Sequence, residues 1–169
     1  MNPRDLPEEA RLLAARAARV MQRIGKSGHS LACAESCTGG LIASLVTDLP
    51  GVSGAFERGF VTYSEPAKCE LLGIEPVELT RHGVVSAAIA ARMAEGALSR
   101  SRASLAVAVT GYAGPGGQPG EEAGLVYIAA RRRGGRLVTR ACRYGDVGRD
   151  RVRMLVAGAA LEMVEELLD

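Results

Sequence analysis

Three short segments of the sequence combine side chains whose types and spacing suit chemistry on a small molecule. The first is ESCTGG at 35–40, which places the hydroxyls of Ser36 and Thr38 between an apolar run and a helical pattern. A helix that begins there offers unpaired N–H groups, which bind a phosphate or stabilise an oxyanion beside a serine nucleophile. The alternative is that Ser36 or Thr38 only caps the helix.

The second segment is YSEPAK at 63–68. Tyr63 ends a strand pattern and Lys68 falls in the first turns of the next helix, so both side chains can point at one spot. A neutral lysine can take the proton of a hydroxyl, and a tyrosine beside it can relay a proton or hold an oxyanion. An unperturbed lysine is neutral in only about one molecule in 2,500 at pH 7, so burial or a nearby cation must lower its pKa. A surface lysine with its stem on apolar side chains is the simpler alternative.

The third segment is TGYAGPGG at 110–117, directly after an apolar strand pattern. It lacks the Gly-Lys-Ser/Thr of a P-loop, and Pro119 stands where a dinucleotide-binding loop has its third glycine. The density of glycine predicts a loop that runs close to something flat or phosphorylated. An ordinary flexible loop is the alternative.

Periodic patterns predict the elements that must position these segments. Strand patterns cover 30–35, 56–63, 105–110, 125–130 and 137–142, and helical patterns cover 41–46, 64–72 and 86–98. A first helix is expected to begin with Asp5 as its cap and Pro7 in its first turn, and to end near Gly25. The pair Gly134-Gly135 predicts a two-residue hairpin turn. One apolar stripe marks the last helix, formed by Val152, Leu155, Val156, Ala159, Met163 and Leu167.

Strands that alternate with helices predict an α/β fold, namely a three-layer α/β/α sandwich with a mixed, largely parallel sheet. The 169 residues, 47% apolar and 24% charged, fit a single globular domain over the whole chain. Ligand sites of such sheets lie at the carboxyl ends of the strands. The three segments are therefore expected to meet at one edge of the sheet.

Composition argues against several classes of function. The net charge is +2, and no basic stripe with interleaved aromatics supports nucleic-acid binding; the arginines at 131–133 fit a solvated hairpin tip. No apolar run approaches the roughly 20 residues of a membrane span, and the first ten residues do not resemble a signal peptide. We therefore expect a cytoplasmic protein that binds neither nucleic acid nor membrane.

The cysteines and histidines do not suggest a metal site. The spacing of Cys33, Cys37, Cys69 and Cys142 matches neither a disulfide framework nor a usual zinc pair, which predicts buried free thiols. His29 and His82 lie far apart without companion ligands and are expected to be structural. The sequence therefore predicts chemistry without a metal.

Together, several ordered motifs resemble one family. They are AESCTGG at 34–40, TYS at 62–64 with Ala67-Lys68 and LLG at 71–73, HGV at 82–84 with Ser86, and AVTGYAGPGG at 108–117. These motifs resemble the CinA C-terminal domain family, the nicotinamide-nucleotide amidohydrolases, from about Leu31 to Leu161. The chain resembles the stand-alone enzymes of this family, which lack the N-terminal molybdopterin-binding-like domain of the longer members.

The resemblance implies hydrolysis of nicotinamide mononucleotide to nicotinic acid mononucleotide and ammonia, in pyridine-nucleotide recycling, without metal or cofactor. By matching positions, Ser36 would be the nucleophile and Tyr63 and Lys68 its activating partners. N–H groups after Ser36 would stabilise the oxyanion. The residues implied to hold the nucleotide are Cys37, Thr38, Gly39, Gly40, Thr110, Gly111, Ala113, Gly114, Gly116 and Arg149, the last as a phosphate or subunit-contact residue.

The chain departs from the family pattern at two positions within the motifs and before Arg149. Glu65 replaces the usual Asn and would hold Lys68 protonated, and Tyr112 replaces a small or aliphatic residue and would stack on a ring or fill the pocket. Two extra residues, Val-Gly, separate Gly145-Asp146 from Arg149. A non-catalytic nucleotide-binding module of the same fold is the alternative function. A short-chain dehydrogenase is disfavoured by the Tyr-x4-Lys spacing, and self-association is left open.

Overall fold

The computed structural model of the chain describes residues 7–114 and 120–169. The elements in chain order are α1 (Glu8–Lys26), β1 (Leu31–Glu35), α2 (Leu41–Thr47), β2 (Phe56–Val61), α3 (Glu65–Leu72), α4 (Pro76–His82), α5 (Ala87–Ser99), β3 (Leu105–Gly111), β4 (Leu125–Arg132), β5 (Leu137–Arg143) and α6 (Arg149–Glu166). Their order is the alternation of strands and helices that the sequence predicts, with a hairpin inserted before the last helix.

The strands form one mixed sheet in the order β2-β1-β3-β4-β5. Strand β1 pairs in parallel with both β2 and β3, and β4 pairs antiparallel with β3 and with β5. All strands except β4 therefore run in the same direction, which confirms the mixed, largely parallel sheet. The carboxyl ends of β1, β2 and β3 lie at the same edge.

Helices cover both faces of the sheet and complete a three-layer α/β/α sandwich, as predicted. Helices α1, α2 and α6 share one core with the sheet, and α3, α4 and α5 share the other. Every residue of β1 is buried, as are the first six of β3. This is the expected state of central strands that have a helical layer on each side.

The two faces of the central strands differ in side-chain size. Because side chains alternate across a strand, the fully buried positions on the face toward α5 are alanines from β1, β3 and β4, namely Ala32, Ala34, Ala106, Ala108 and Ala129. Tyr127 of β4 packs beside them as a larger, partly buried residue. The face toward α1 and α6 carries larger residues such as Leu31, Leu105 and Val107. Helix α5 is itself rich in alanine, so small side chains meet along this seam.

Some local predictions are confirmed and others are wrong. Ser64 caps α3 as predicted, since its hydroxyl accepts from the N–H of Ala67. Helix α1 begins at Glu8, with Pro7 before it rather than inside its first turn, and Asp5 lies outside the described residues. Leu155 is 40% exposed and does not belong to the buried stripe of α6.

The hairpin and one helix also differ from the sequence prediction. Four residues, 133–136, connect β4 to β5 instead of two, and the N–H of Arg132 donates to the carbonyl of Arg136 across the turn. Helix α4 is absent from the predicted elements because its apolar periodicity is too short to be seen. Its only signals are Pro76 at the start and Glu78, which takes part in a capping box with Glu75.

We predict that Gly96→Ala lowers the free energy of unfolding by about 1–3 kcal/mol, the usual range for overpacking. Gly96 lies in α5 against α3, and an added Cβ would lie 2.3 Å from the carbonyl oxygen of Leu72. Urea denaturation checks this, with Gly158→Ala in α6 as the matched helical control. The nearest atom to a Cβ at Gly158 is 3.5 Å away, so that variant should be neutral or stabilised by up to about 1 kcal/mol. Equal midpoints for the two variants would contradict the prediction.

Candidate active site

The described residues of the three segments singled out in the sequence, with 110–114 from the third, meet at the carboxyl ends of β1, β2 and β3. With the 83–86 turn and the start of α6, they line a cavity of about 570 Å³, a size suited to a small organic ligand. The lining residues are Ser36, Cys37, Tyr63, Ser64, Glu65, Lys68, Val84, Val85, Thr110, Gly111, Tyr112, Ala113, Gly114, Glu121 and Arg149.

A larger cavity, of about 750 Å³, lies at the opposite edge of the sheet, between α1 and the 49–55 loop. Its lining includes the cations Arg19 and Lys26 and the imidazole of His29. His29 is bonded through Nδ1 to the Ser104 hydroxyl, at 2.9 Å, which is a structural contact. The Ser104 hydroxyl is not among the groups that line this cavity, so His29 has no hydrogen-bonded nucleophile to activate there among the described residues, and we place the chemistry in the smaller cavity.

The centre of the site is a buried pair formed by Ser36 and Lys68. Ser36 directly follows β1, and its N–H donates to the carbonyl of Val109 in β3 at 3.1 Å, which holds the turn against the sheet. The Lys68 amine lies 3.0 Å from the Ser36 hydroxyl oxygen and 2.8 Å from the carbonyl oxygen of Thr62. Lys68 is 1% exposed and Ser36 8% exposed.

The surroundings of Lys68 favour its neutral form. Burial lowers the pKa of Lys68, and electrostatic interactions with Cys37, Glu65 and Cys69 oppose that shift. A neutral amine that donates to the Thr62 carbonyl retains a lone pair for the Ser36 proton. The geometry and the pKa direction together are those of a serine with a lysine general base.

Tyr63 lines the mouth of the cavity and is 63% exposed. Its hydroxyl accepts from Nη2 of Arg149 at 3.0 Å, and Nη1 of Arg149 donates to the carbonyl of Gly114 at 3.3 Å. Within the described part of the chain, no hydrogen bond joins Tyr63 to Ser36 or Lys68. Arg149 therefore bridges the end of β2 and the glycine-rich loop across the mouth.

The turn after Ser36 is built around the buried carboxylate of Glu35. Its oxygens accept from the backbone N–H groups of Gly40, Ile42 and Ala43 at 3.0, 3.1 and 2.9 Å. The N–H groups of the cap residue Gly40 and of Ile42 and Ala43 in the first turn of α2 are therefore occupied. They are not the unpaired groups that the sequence predicts for a phosphate or an oxyanion. Neither hydroxyl of the segment caps α2, because Gly40 occupies the cap position without a side-chain bond.

Two N–H groups of the same turn are left for an oxyanion. The N–H of Gly39 donates to the carbonyl of Ser36, and that of Leu41 donates to the carbonyl of Thr38. Among the described residues, the N–H groups of Cys37 and Thr38 donate to no backbone carbonyl. Their position next to the Ser36 hydroxyl makes them the candidate oxyanion donors.

Arg153 is a structural part of the site that the sequence analysis missed. It donates twice to the carbonyl of Thr38, from Nε at 3.1 Å and from Nη2 at 2.8 Å. Thr38 itself is buried, and its hydroxyl has no partner among the described residues. The spacing of Arg149 and Arg153, four residues apart on α6, was an available signal because such positions share a helix face.

The turn at 83–86 is a second missed part of the site. The Thr110 hydroxyl donates to the carbonyl of Val84 at 2.9 Å, which ties this turn to the end of β3. Val84 and Val85 then line the cavity and supply an apolar surface. The HGV motif at 82–84 pointed to this segment without indicating a role.

The structure brings most of the expected ligand-binding residues to the cavity. Those that line it are Cys37, Thr110, Gly111, Ala113, Gly114 and Arg149. Thr38, Gly39 and Gly40 belong to the adjoining turn and do not line the cavity, and Gly116 lies outside the described residues. Both departures from the family pattern, Glu65 and Tyr112, line the cavity.

Metal ligation and membrane insertion find no support in the described ranges. No group of three or more His, Cys, Asp or Glu side chains there is arranged to hold a metal ion. No helix in residues 7–114 or 120–169 is long and apolar enough to cross a membrane. All four cysteines are free; Cys33 and Cys37 are buried as expected, whereas Cys69 and Cys142 are half-buried.

Comparison with known proteins gives a consistent result. The family model described as the CinA C-terminal domain matches residues 13–168 of this chain. The nicotinamide-nucleotide amidohydrolase PncC of Escherichia coli K12 is 43% identical over 146 residues, which cover 85% of this chain and 87% of that protein. A CinA-like protein of Akkermansia muciniphila is 51% identical over 143 residues, covering 84% of this chain. The chain spans only 34% of the length of that longer relative.

Solved structures show the same similarity. The competence/damage inducible protein CihA from Agrobacterium tumefaciens superposes with a TM-score of 0.91 at 43% identity, covering 97% of this chain and 98% of that one. A CinA superfamily protein from Klebsiella pneumoniae superposes with a TM-score of 0.87 at 32% identity, covering 92% and 97% of the two chains.

We predict that Glu35→Ala lowers the free energy of unfolding by about 2–4 kcal/mol, because it leaves three N–H groups of α2 without their acceptor. Ser64→Ala is the control, since it removes one exposed cap bond in α3 and should lose only about 1 kcal/mol. Glu35→Gln should recover part of the loss because one acceptor oxygen remains. Urea denaturation measures all three variants, and equal losses for Glu35→Ala and Ser64→Ala would contradict the proposed role of the carboxylate.

Proposed function

The chain belongs to the CinA C-terminal domain family, and from that membership we propose that it hydrolyses the carboxamide of nicotinamide mononucleotide. The products are nicotinic acid mononucleotide and ammonia. The observation that carries the proposal is the buried Lys68 amine, 3.0 Å from the Ser36 hydroxyl in a cavity of suitable size. The E. coli relative named as a nicotinamide-nucleotide amidohydrolase supports the substrate class.

The first half-reaction forms an acyl-enzyme. The lone pair of Lys68 accepts the Ser36 proton while the serine oxygen attacks the carboxamide carbon. The resulting oxyanion is stabilised by the N–H groups of Cys37 and Thr38. When the C–N bond breaks, Lys68 returns its proton to the leaving nitrogen, which departs as ammonia and leaves an ester on Ser36.

The second half-reaction uses water. Lys68, neutral again, accepts a proton from a water molecule that attacks the ester carbon. The tetrahedral intermediate collapses, Ser36 recovers its proton from Lys68, and the product leaves as the carboxylic acid, which ionises in water. The net change is one amide and one water converted to one carboxylic acid and one ammonia, and no step needs a metal or a cofactor.

The remaining residues are assigned by where they lie. Arg149 at the mouth is the proposed phosphate ligand, with Tyr63 holding its guanidinium in place. The cavity walls at 110–114 and at Cys37 are proposed to enclose the ring and ribose, and Gly116 stays a predicted contact. Thr38, Gly39 and Gly40 would shape the nucleophile turn instead of touching the ligand.

The proposal places the enzyme in the cytoplasm, where four free cysteines are stable. We also propose that the whole chain is a single domain and that its activity needs neither a metal nor a cofactor. Self-association stays a prediction without a structural test. The alternative, a nucleotide-binding module without activity, is an outcome of the first experiment below.

Ammonia release from nicotinamide mononucleotide in the presence of a chelator is the direct test. We predict that Lys68→Met lowers kcat/KM by about 10²–10⁴-fold, the usual contribution of a general base, and that Ser36→Ala loses at least as much. Lys26→Met is the matched control. Its lysine lines the larger cavity, so activity should stay unchanged.

The controls separate the alternatives. Loss of activity in Lys26→Met with retention in Lys68→Met would move the site to the other cavity. A folded wild-type chain that binds the nucleotide and releases no ammonia would support the binding module instead. Activity abolished by the chelator and restored by a divalent metal would contradict the metal-free mechanism.

The charge of Glu65 gives a pH prediction. Its carboxylate raises the pKa of Lys68 against the larger effect of burial, and only neutral Lys68 accepts the serine proton. Glu65→Asn should therefore lower the pKa of Lys68 and move the acidic limb of the kcat/KM profile to lower pH. Glu70→Gln, a change at an exposed position of α3 outside the cavity lining, should leave the limb in place. A shift to higher pH in Glu65→Asn would contradict Lys68 as the base.

A further inference from the structure

Tyr112 directly follows β3 and is held by backbone bonds on both sides. Its N–H donates to the carbonyl of Leu125 at 2.9 Å, and its carbonyl accepts from the N–H of Gly124 at 2.7 Å. Gly124 in turn lies against Gly145, because an added Cβ would be 2.3 Å from the carbonyl oxygen there. The backbone that carries the Tyr112 ring is therefore firmly positioned.

The ring lies on the same side of the sheet as the reacting pair. The alanines of β3 face α5, and alternation along the strand continues that row with Thr110 and Tyr112. Thr110 bonds to the carbonyl of Val84 on that side, and Lys68 belongs to α3, which packs on α5. The Tyr112 side chain thus forms a wall of the cavity that also contains Ser36.

The charges around this wall favour a cation. Burial and, as the smaller cause, the charge of Glu121 raise the pKa of the Tyr112 phenol, and Glu65 adds a second carboxylate to the cavity. Of the two basic side chains in the described lining, Lys68 has a lowered pKa, and the guanidinium of Arg149 lies at the mouth, where the proposed function assigns it to the phosphate. An aromatic face with carboxylates nearby attracts positive charge.

We propose that Tyr112 is a specificity-determining residue whose ring stacks on the pyridinium ring of the substrate and selects the charged ring over an uncharged one. This inference rests on the proposed function and names the chemical feature that its site recognises. Nicotinamide mononucleotide carries a fixed positive charge on the ring. Its 1,4-dihydro form lacks that charge and keeps the carboxamide, the ribose and the phosphate.

Selection by ring charge has a chemical consequence at Ser36. A positive ring withdraws electrons from the carboxamide carbon and makes it a better electrophile, whereas the dihydro ring donates electrons to it. A wall that prefers the charged ring therefore admits the form that a serine attacks most readily. An aliphatic side chain of similar size at position 112 would fill the same space without this preference.

Binding to the unreactive Ser36→Ala chain tests the inference without turnover. Calorimetry measures the dissociation constants of nicotinamide mononucleotide and of its dihydro form for this chain, and again after adding Tyr112→Leu or Tyr112→Phe. We expect the oxidised form to bind more tightly. The ratio of the two constants should fall by roughly 2- to 30-fold with Leu, the range of a cation–π contact, and should be retained with Phe, which keeps the ring.

Several results would overturn the inference. They are an unchanged ratio in Tyr112→Leu, an equal loss of both ligands, and an equal or absent affinity of the Ser36→Ala chain for the two ligands. Circular dichroism confirms that each variant is folded. Failure of the proposed function is separate, because it appears as absence of ammonia release by the wild-type chain even where charge-dependent binding is found.

Discussion

The site depends on one lysine amine that is held out of water. An exposed lysine stays charged at neutral pH and cannot accept a proton, whereas burial disfavours the charged form. The Lys68 amine is buried and bonded to the carbonyl of Thr62, just beyond β2. The end of that strand, helix α3 and the serine turn must all be in place before the amine can act as a base. Folding and reactivity are therefore coupled at this group.

The side chain of Glu35 fills the anion-binding position at the start of α2. A helix that begins just after a nucleophile attracts anions to its first turn. Here the anion comes from the chain itself and takes three N–H groups of α2. The turn that carries Ser36 is therefore shaped internally, and under the proposed function the substrate phosphate is bound by Arg149, at the mouth. Under this proposal, the reacting pair of Ser36 and Lys68 and the phosphate site at Arg149 lie at different positions along the cavity.

The sequence predicts the features that local spacing determines, and it misses those that depend on elements distant in the chain. Alternating patterns predict the layers, the sheet and the start of α3. They do not show that Glu35 turns inward, because its partners belong to a helix whose direction is set by tertiary packing. Tyr63 is the clearest case. Its spacing from Lys68 predicts that both side chains point at one spot, and the family resemblance implies a role beside Ser36. Its hydroxyl instead bonds to Arg149, 86 residues away. The short helix α4 leaves almost no periodic signal.

The alanine seam between α5 and the sheet has a consequence for how the protein can evolve. Helix α3 packs on α5 at the close contact of Gly96 with Leu72, so a thicker seam would displace α5 and, through that contact, the helix that carries Lys68. Every seam alanine is fully buried, and almost any replacement adds volume. Such changes would lengthen the reacting distance without touching the cavity. Sequence drift should therefore be slower on this face than on the opposite one, and remote seam substitutions are a route to inactive but folded relatives.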